Sequence, residues 1–168
     1  IRAVRGMLVP ARVKRALLIV NPYSTQVTGP SIAAVENALR ERVEIETMFT
    51  QYPGHATELA AEAAADSVDA IVIFSGDGTY NEVVNGITGD VPLGFLPGGG
   101  TSVLPRALGL CHDPVVAARR AAAGATRAIG LGRVNGRRFT FNAGIGLDAE
   151  LVRRIDDRGR RDDGRRPG

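Results

Sequence analysis

Short apolar runs alternate along the chain with segments of helical periodicity. Ala16-Leu-Leu-Ile-Val20 is continuous and apolar, the pattern of a strand buried on both faces. Asn21-Pro22 ends it, and a loop runs on to Gly29-Pro30. Ile32, Val35, Leu39 and Val43 recur at helical spacing, which predicts an amphipathic helix over 31–42. Residues 43–50 alternate, Val43, Ile45, Thr47 and Phe49 against Glu44, Glu46 and Met48, as in a strand with one face exposed. Beyond Pro53-Gly54, Ala56, Leu59, Ala60, Ala63 and Ala64 line one face of a second helix. The buried-strand pattern returns at 71–74, a third helix is expected over 79–85, and Gly86 stands where a helix stop with positive φ is wanted. A fourth strand is expected over 91–96, then one or two helical turns over 102–108, with Pro105 tolerated in the first turn. Asp113-Pro114 pairs an N-cap with an N1 proline and opens an Ala-rich helix that Gly124 closes.

Four strand–helix alternations between 16 and 124 predict an α/β fold, a parallel sheet with flanking helices, whose ligands gather beyond the carboxyl ends of the strands. The character changes after 125. Asn135-Gly136, flanked by 126–134 and 138–142, is a strong hairpin signal, so an antiparallel element begins where the alternation stops. Residues 144–152 open a further helix. The expected organisation is an α/β domain at 12–124, the incomplete beginning of a β-rich second domain at 125–152, and a charged Arg/Asp/Gly tail at 153–168.

Composition narrows the class. Trp is absent and aromatics make up only 5% of the 168 residues, so the core must be aliphatic. The single Cys111 cannot form an internal disulfide, which fits a reducing, cytoplasmic setting. No apolar run approaches the roughly 18 residues that span a bilayer. The net charge of +3 is uneven: residues 1–15 carry +5 and residues 153–168 carry +3, which leaves −5 for the remainder. Basic ends suit a solvated tail first, and transient peripheral contact with an anionic membrane second. No aromatics are interleaved with the arginines, so nucleic acid is not an expected partner.

Three loops carry the candidate chemistry. In Ser75-Gly76-Asp77-Gly78-Thr79, glycines permit a sharp turn and close approach to a ligand, and Asp77 could orient a metal ion or accept a proton from an attacking hydroxyl. The blander reading is that Thr79-Tyr80-Asn81-Glu82 is a capping box, with Thr79 and Glu82 spent on their own helix. Pro97-Gly-Gly-Gly-Thr101 and Asn21-Pro22-Tyr23-Ser24-Thr25 are weak signals separately, but all three loops follow predicted strands and would meet at one sheet edge. His55 suits a turn better than a catalytic base. The two histidines and one cysteine are too scattered for a zinc site. Walker A, dinucleotide and Gly-x-Ser-x-Gly patterns are all missing.

Together these residues resemble the diacylglycerol kinase catalytic domain family, which includes bacterial lipid kinases and sphingosine kinases. The segment Ser75-Gly-Asp-Gly-Thr-Tyr-Asn-Glu-Val-Val-Asn-Gly86 is similar to its Gly-Gly-Asp-Gly-Thr-x-Asn-Glu-Val-x-Asn-Gly signature. Asn21-Pro22 with Ser24, Thr50 with Gly54-His55-Ala56, 96–101 with Arg106-Ala-Leu-Gly109, and 142–149 resemble its other segments. Ser75, Thr25 and Val103-Leu104 depart from the family pattern, the last of these at residues bearing on the acceptor. The resemblance implies a nucleotide-binding lobe like that of the NAD kinase and diacylglycerol kinase fold, ATP and Mg²⁺ as cofactors, and phosphorylation of a lipid such as diacylglycerol. It implies nucleotide contacts at Asn21, Pro22, Tyr23, Ser24, Thr25, Thr50, Gly76, Asp77, Gly78, Thr79, Tyr80, Asn81, Glu82, Gly100 and Thr101, catalysis at Asp77, and Asp148 toward the lipid headgroup. Metal ligands are expected in a second domain that follows, not in this chain, which is therefore expected to be weak or inactive alone. The resemblance leaves room for a homodimer. The alternatives are a kinase of a soluble substrate such as NAD, and a nucleotide-binding module without catalysis.

Overall fold

The computed structural model describes residues 13–66, 68–140, 150 and 154. Strands β1 (Arg15–Val20), β2 (Glu44–Phe49), β3 (Ala70–Ser75) and β4 (Leu93–Pro97) form one parallel sheet in the order β2-β1-β3-β4. Helices α1 (Gly29–Arg40), α2 (His55–Ala65), α3 (Asp77–Gly86), α4 (Val103–Ala107) and α5 (Pro114–Ala122) wrap it. Strands β5 (Gly132–Val134) and β6 (Arg137–Phe139) follow as an antiparallel hairpin. The predicted α/β class and the hairpin both hold.

Alternation along β1 sorts the core into two layers. Ala16, Leu18 and Val20 join Val72 and Phe74 beneath α1 and α5, packing on Val35, Leu39 and Ala118. Leu17 and Ile19 join Ile71, Ile73 and Phe95 on the other face, packing on Leu59 and Ala60 of α2, Tyr80 and Val83 of α3, and Leu104 of α4. Each face of the central strands is thus covered, which is why β1 and β3 read as unbroken apolar runs. β2 lies at the sheet edge, and its alternating sequence reflects that.

Two local expectations are corrected. Helix α3 starts at Asp77, two residues before Thr79, with Gly76 as an N-cap that offers no side chain. Thr79 and Glu82 therefore form no capping box. Gly86 does not take a positive φ; the glycines that do so are 54, 89, 109, 124 and 136. Instead Gly86 is where α3 crosses α2: a methyl group there would lie 2.1 Å from the Thr57 carbonyl oxygen. The Thr57 hydroxyl also donates to the Glu82 carbonyl at 3.1 Å, locking the crossing. Elsewhere the sequence signals hold. Asp113 caps α5 by accepting from the Val115 and Val116 amides at 2.8 and 3.0 Å. Asn135 and Gly136 both take positive φ, 50° and 81°, as a two-residue hairpin turn requires.

Two predictions follow from this packing. Gly86→Ala should cost about 1–3 kcal/mol, because the obstructing atom is backbone and cannot rotate away; an unshifted urea midpoint would show that the helices part freely. The second concerns Asp69, whose Oδ2 accepts from the Lys14 and Arg15 amides at 2.8 and 2.9 Å and fixes the start of β1. The Arg15 bond, then the Lys14 bond, holds its carboxyl below the ordinary aspartate value of 3.8. Its stabilisation is thus complete above that value and is lost as pH falls through the lowered one. Amide exchange at Lys14 and Arg15 should accelerate selectively there, and exchange that tracks the rest of the sheet instead would refute the clamp.

Candidate functional site

The winding direction of the sheet reverses between β1 and β3. The chain leaves β1 for α1 on one face and leaves β3 for α3 on the other, so the loops after these strands part at the carboxyl edge. A cleft of about 360 Å³ opens there, lined by Asn21 and Tyr23 after β1, Thr50 to Pro53 after β2, and Gly78, Thr79 and Glu82 of α3. Its volume is in the range of small-ligand sites. The N–H groups of Asp77, Gly78 and Thr79 precede the first intrahelical bond of α3, Tyr80 N to Gly76 O, and so lack helical partners. Gly78 is exposed, and nothing lies within 4 Å of where its side chain would be. The helix dipole adds positive potential at the same point.

A chain of hydroxyls ties the two sides of the cleft together. Ser75 Oγ donates to Thr79 Oγ1 at 2.7 Å, and Asn21 Nδ2 donates to the same oxygen at 3.2 Å. Ser75 has only one proton, so Ser24 Oγ must donate to it across their 3.0 Å contact. Thr79 accepts twice, keeps its own proton, and lines the cleft. Asn21 Oδ1 meanwhile accepts the Tyr23 amide at 2.9 Å and shapes its loop. The third loop packs on the same corner. Gly98 N bonds Ser75 O at 2.8 Å, and Gln26 N bonds Gly98 O at 2.9 Å. A side chain on Gly99 would meet the Gly76 Cα at 2.8 Å. These glycines serve loop-to-loop contact, and neither Gly76 nor Gly78 uses a positive φ. The loops after β1, β3 and β4 therefore converge.

The other expected residues fall as follows. Thr50 is buried at the end of β2, its amide bonded to Val20 O. Pro22, Thr25, Gly100 and Thr101 are exposed beside the Gly76 corner, outside the cleft wall. Asp77 is committed: its Oδ2 accepts from Val103 N at 2.8 Å and its Oδ1 from Leu104 N at 2.9 Å, which caps α4 from a neighbouring helix. The Tyr80 side chain cannot serve a nucleotide. It is fully buried, stacks edge-on with Phe95, and gives its hydroxyl to the Ser75 and Leu96 carbonyls at 2.7 and 2.6 Å. Burial, and then the charge of Asp77, raise that hydroxyl well above the ordinary tyrosine range. Asn81 lies off the cleft wall, and its buried Oδ1 has no hydrogen-bond partner. Asp148 lies outside the described residues. His55 closes a turn, its Nδ1 accepting the Gln51 amide at 3.1 Å.

Sequence reasoning missed two groups. Gln51, Tyr52 and Pro53 line the cleft; their position directly after a predicted strand was the available signal. Asn85 docks the hairpin onto α3. Its Oδ1 accepts from Arg138 N and its Nδ2 donates to Arg138 O, both at 2.9 Å, so the amide acts as a rung of sheet. Arg138 Nη1 returns the contact to the Val84 and Ile87 carbonyls at the carboxyl end of α3. No local pattern announces a pairing across 53 residues.

The fold and this corner define a parallel α/β lobe with an open cleft at its winding reversal. Residues 15–134 match the model of the diacylglycerol kinase catalytic domain, and the chain belongs to that family. It is 38% identical over 145 residues to a diacylglycerol kinase of Bacillus subtilis, covering 83% of this chain and 48% of that protein. A sphingoid long chain base kinase of Saccharomyces cerevisiae is 38% identical over 79 residues, covering 45% of this chain and 12% of that protein. The crystal structure of a diacylglycerol kinase from Bacillus anthracis superposes with a TM-score of 0.71 at 28% identity, covering 76% of this chain and 48% of that one. The chain spans about half the length of the diacylglycerol kinases it matches. Among the described residues no helix is long and apolar enough to cross a membrane.

Asn85→Ala should release the hairpin at a cost of about 2 kcal/mol, two hydrogen bonds of roughly 1 kcal/mol each. Amide exchange of Arg138 should accelerate while that of β1 and β3 does not; equal acceleration throughout would mean that the hairpin is not separately docked.

Proposed function

We propose that this chain is the nucleotide-binding lobe of an ATP-dependent lipid kinase, one that transfers the γ-phosphoryl group to a lipid hydroxyl such as that of diacylglycerol. The observation that carries the reading is one cleft at the winding reversal, lined by the loops after β1 and β2 and by the α3 N-terminus, with the β4 loop packed beside it on the Gly76 corner. Phosphoryl transfer asks a protein chiefly for positioning and charge neutralisation. Unpartnered amides at Asp77 to Thr79 supply donors for phosphate oxygens, and Thr79 adds its free hydroxyl proton. Glu82 faces the same cleft and is suited to the ribose hydroxyls or to a hydrated cation.

Mg²⁺ is a harder fit. Among the described residues no group of three or more His, Cys, Asp or Glu could hold a metal ion, and both Asp77 oxygens are engaged by α4. The metal's ligands are proposed to come from the nucleotide and from a second domain. Each Asp77 oxygen keeps a lone pair beyond its α4 bond, so Asp77 would act on the acceptor hydroxyl while still capping α4. Nucleotide binding is proposed as the share of the described residues, with turnover belonging to a longer protein. Membrane contact by the basic ends and a homodimer belong to the same proposal.

The test pairs binding with turnover. This chain should bind ATP, and the longer protein should label diacylglycerol from radioactive ATP on thin-layer plates run beside sphingosine and NAD. Label in NADP alone would end the lipid reading. Asp77→Asn should lower turnover about a hundredfold or more and destabilise the lobe by about 1 kcal/mol, because an amide cannot accept from both α4 donors with two oxygens. Full turnover in that variant would remove Asp77 from the chemistry.

A further inference from the structure

A preassembled aromatic platform stands at the mouth of the cleft. Tyr52 is 48% exposed and lines the cleft, while His55, stacked on its ring at 4.6 Å and 19°, does not. The imidazole covers one face of the ring, and the side chain is still half exposed. Each part of the pair is fixed. The Gln51 amide donates to His55 Nδ1 at 3.1 Å, and the Tyr52 hydroxyl donates to Glu58 Oε2 in the first turn of α2 at 2.5 Å. That bond to Glu58 raises the phenol above its ordinary range. Tyr23, 67% exposed, faces the same cleft from the β1 loop. An exposed ring held at both its face and its tip loses little freedom when a flat ligand stacks on it, which makes stacking cheaper than on a free side chain.

We propose that the exposed ring of Tyr52 is a nucleobase subsite, on which the purine ring of the nucleotide stacks while its phosphates lie toward Gly78 and Thr79. The inference rests on the nucleotide reading above and deepens it: Tyr52 sets base affinity, and His55 and Glu58 act as positioning residues for its ring. Stacking recognises any planar base, so the platform alone favours purines over pyrimidines by area and not by hydrogen-bond pattern. Glu58 holds the Tyr52 hydroxyl and so fixes the tip of the ring.

The probes are 2-aminopurine riboside triphosphate, whose fluorescence is quenched on stacking, and inorganic tripolyphosphate, both with Mg²⁺. The chain should quench the aminopurine. Tyr52→Phe should keep the quenching within about twofold in affinity, since the ring persists. Tyr52→Ala should lose roughly tenfold or more in affinity for the base-bearing probe, the range of base–aromatic stacking, and leave tripolyphosphate binding unchanged. His55→Ala should fall between the two. If tripolyphosphate binds but Tyr52→Ala quenches and binds the aminopurine as wild type does, the subsite is overturned while the phosphate site stands. If neither probe binds wild-type protein, the nucleotide reading itself fails and takes the subsite with it. Should Tyr52→Ala lose only adsorption to phosphatidylglycerol vesicles, the ring faces lipid and the subsite is likewise wrong.

Discussion

A parallel sheet delivers every strand's carboxyl end to the same edge, and a reversal in winding forces the connections at that edge to part. In this lobe the reversal falls between β1 and β3, whose Cα partners run from Ala16–Ala70 to Val20–Phe74. α1 departs over one face and α3 over the other, so the crevice between their loops cannot be closed by either helix. Backbone amides at the start of α3 are left facing it. The remaining features of the site repair or exploit that gap: the Ser24–Ser75–Thr79–Asn21 hydroxyl chain bridges it, and the Gly98–Gly100 loop packs beside it on the Gly76 corner.

Helix α3 is the beam on which these parts are mounted. Asp77, Asn81 and Asn85 recur every four residues and so lie on one face. Asp77 holds α4 at one end, and Asn85 holds the hairpin at the other. On a different face Gly86 lets the helix press against Thr57 of α2. One ten-residue helix thus fixes the Gly76 corner, α2 and the hairpin relative to each other. Flexing between them would have to break these polar contacts. This explains why a segment so dense in glycine and asparagine stays helical despite poor intrinsic propensity: tertiary contacts supply what the backbone lacks.

Much of this was legible in the chain alone, for definable reasons. Leu17 to Val20 and Ile71 to Phe74 read as strands because both sheet faces are covered, and β2 reads as alternating because it lies at the edge. Asp113-Pro114 and Asn135-Gly136 worked because capping and hairpin turns are decided within four residues. Convergence of the three loops was also readable, since parallel strands leave their following loops at one edge. Local grammar misled where a residue's partner is remote. Thr79 matched a capping box, yet its hydroxyl meets Asn21, 58 residues away. Gly86 looked like a helix stop, but its missing side chain is required by Thr57. Tyr80 sat within a ligand-like motif and turned out to be core.

By itself, the sequence determined the order of elements, the covering of both sheet faces and the edge at which a ligand gathers, because periodicity and turn chemistry are short-range properties. Only the folded chain decided which side chains of the signature face the cleft, that Asp77 is committed to α4, and that Tyr52 lines the opening with His55 stacked on its ring. Those outcomes depend on the angle at which α3 crosses α2 and on the path of each loop. Packing between distant segments sets both, and no window of the sequence contains that information.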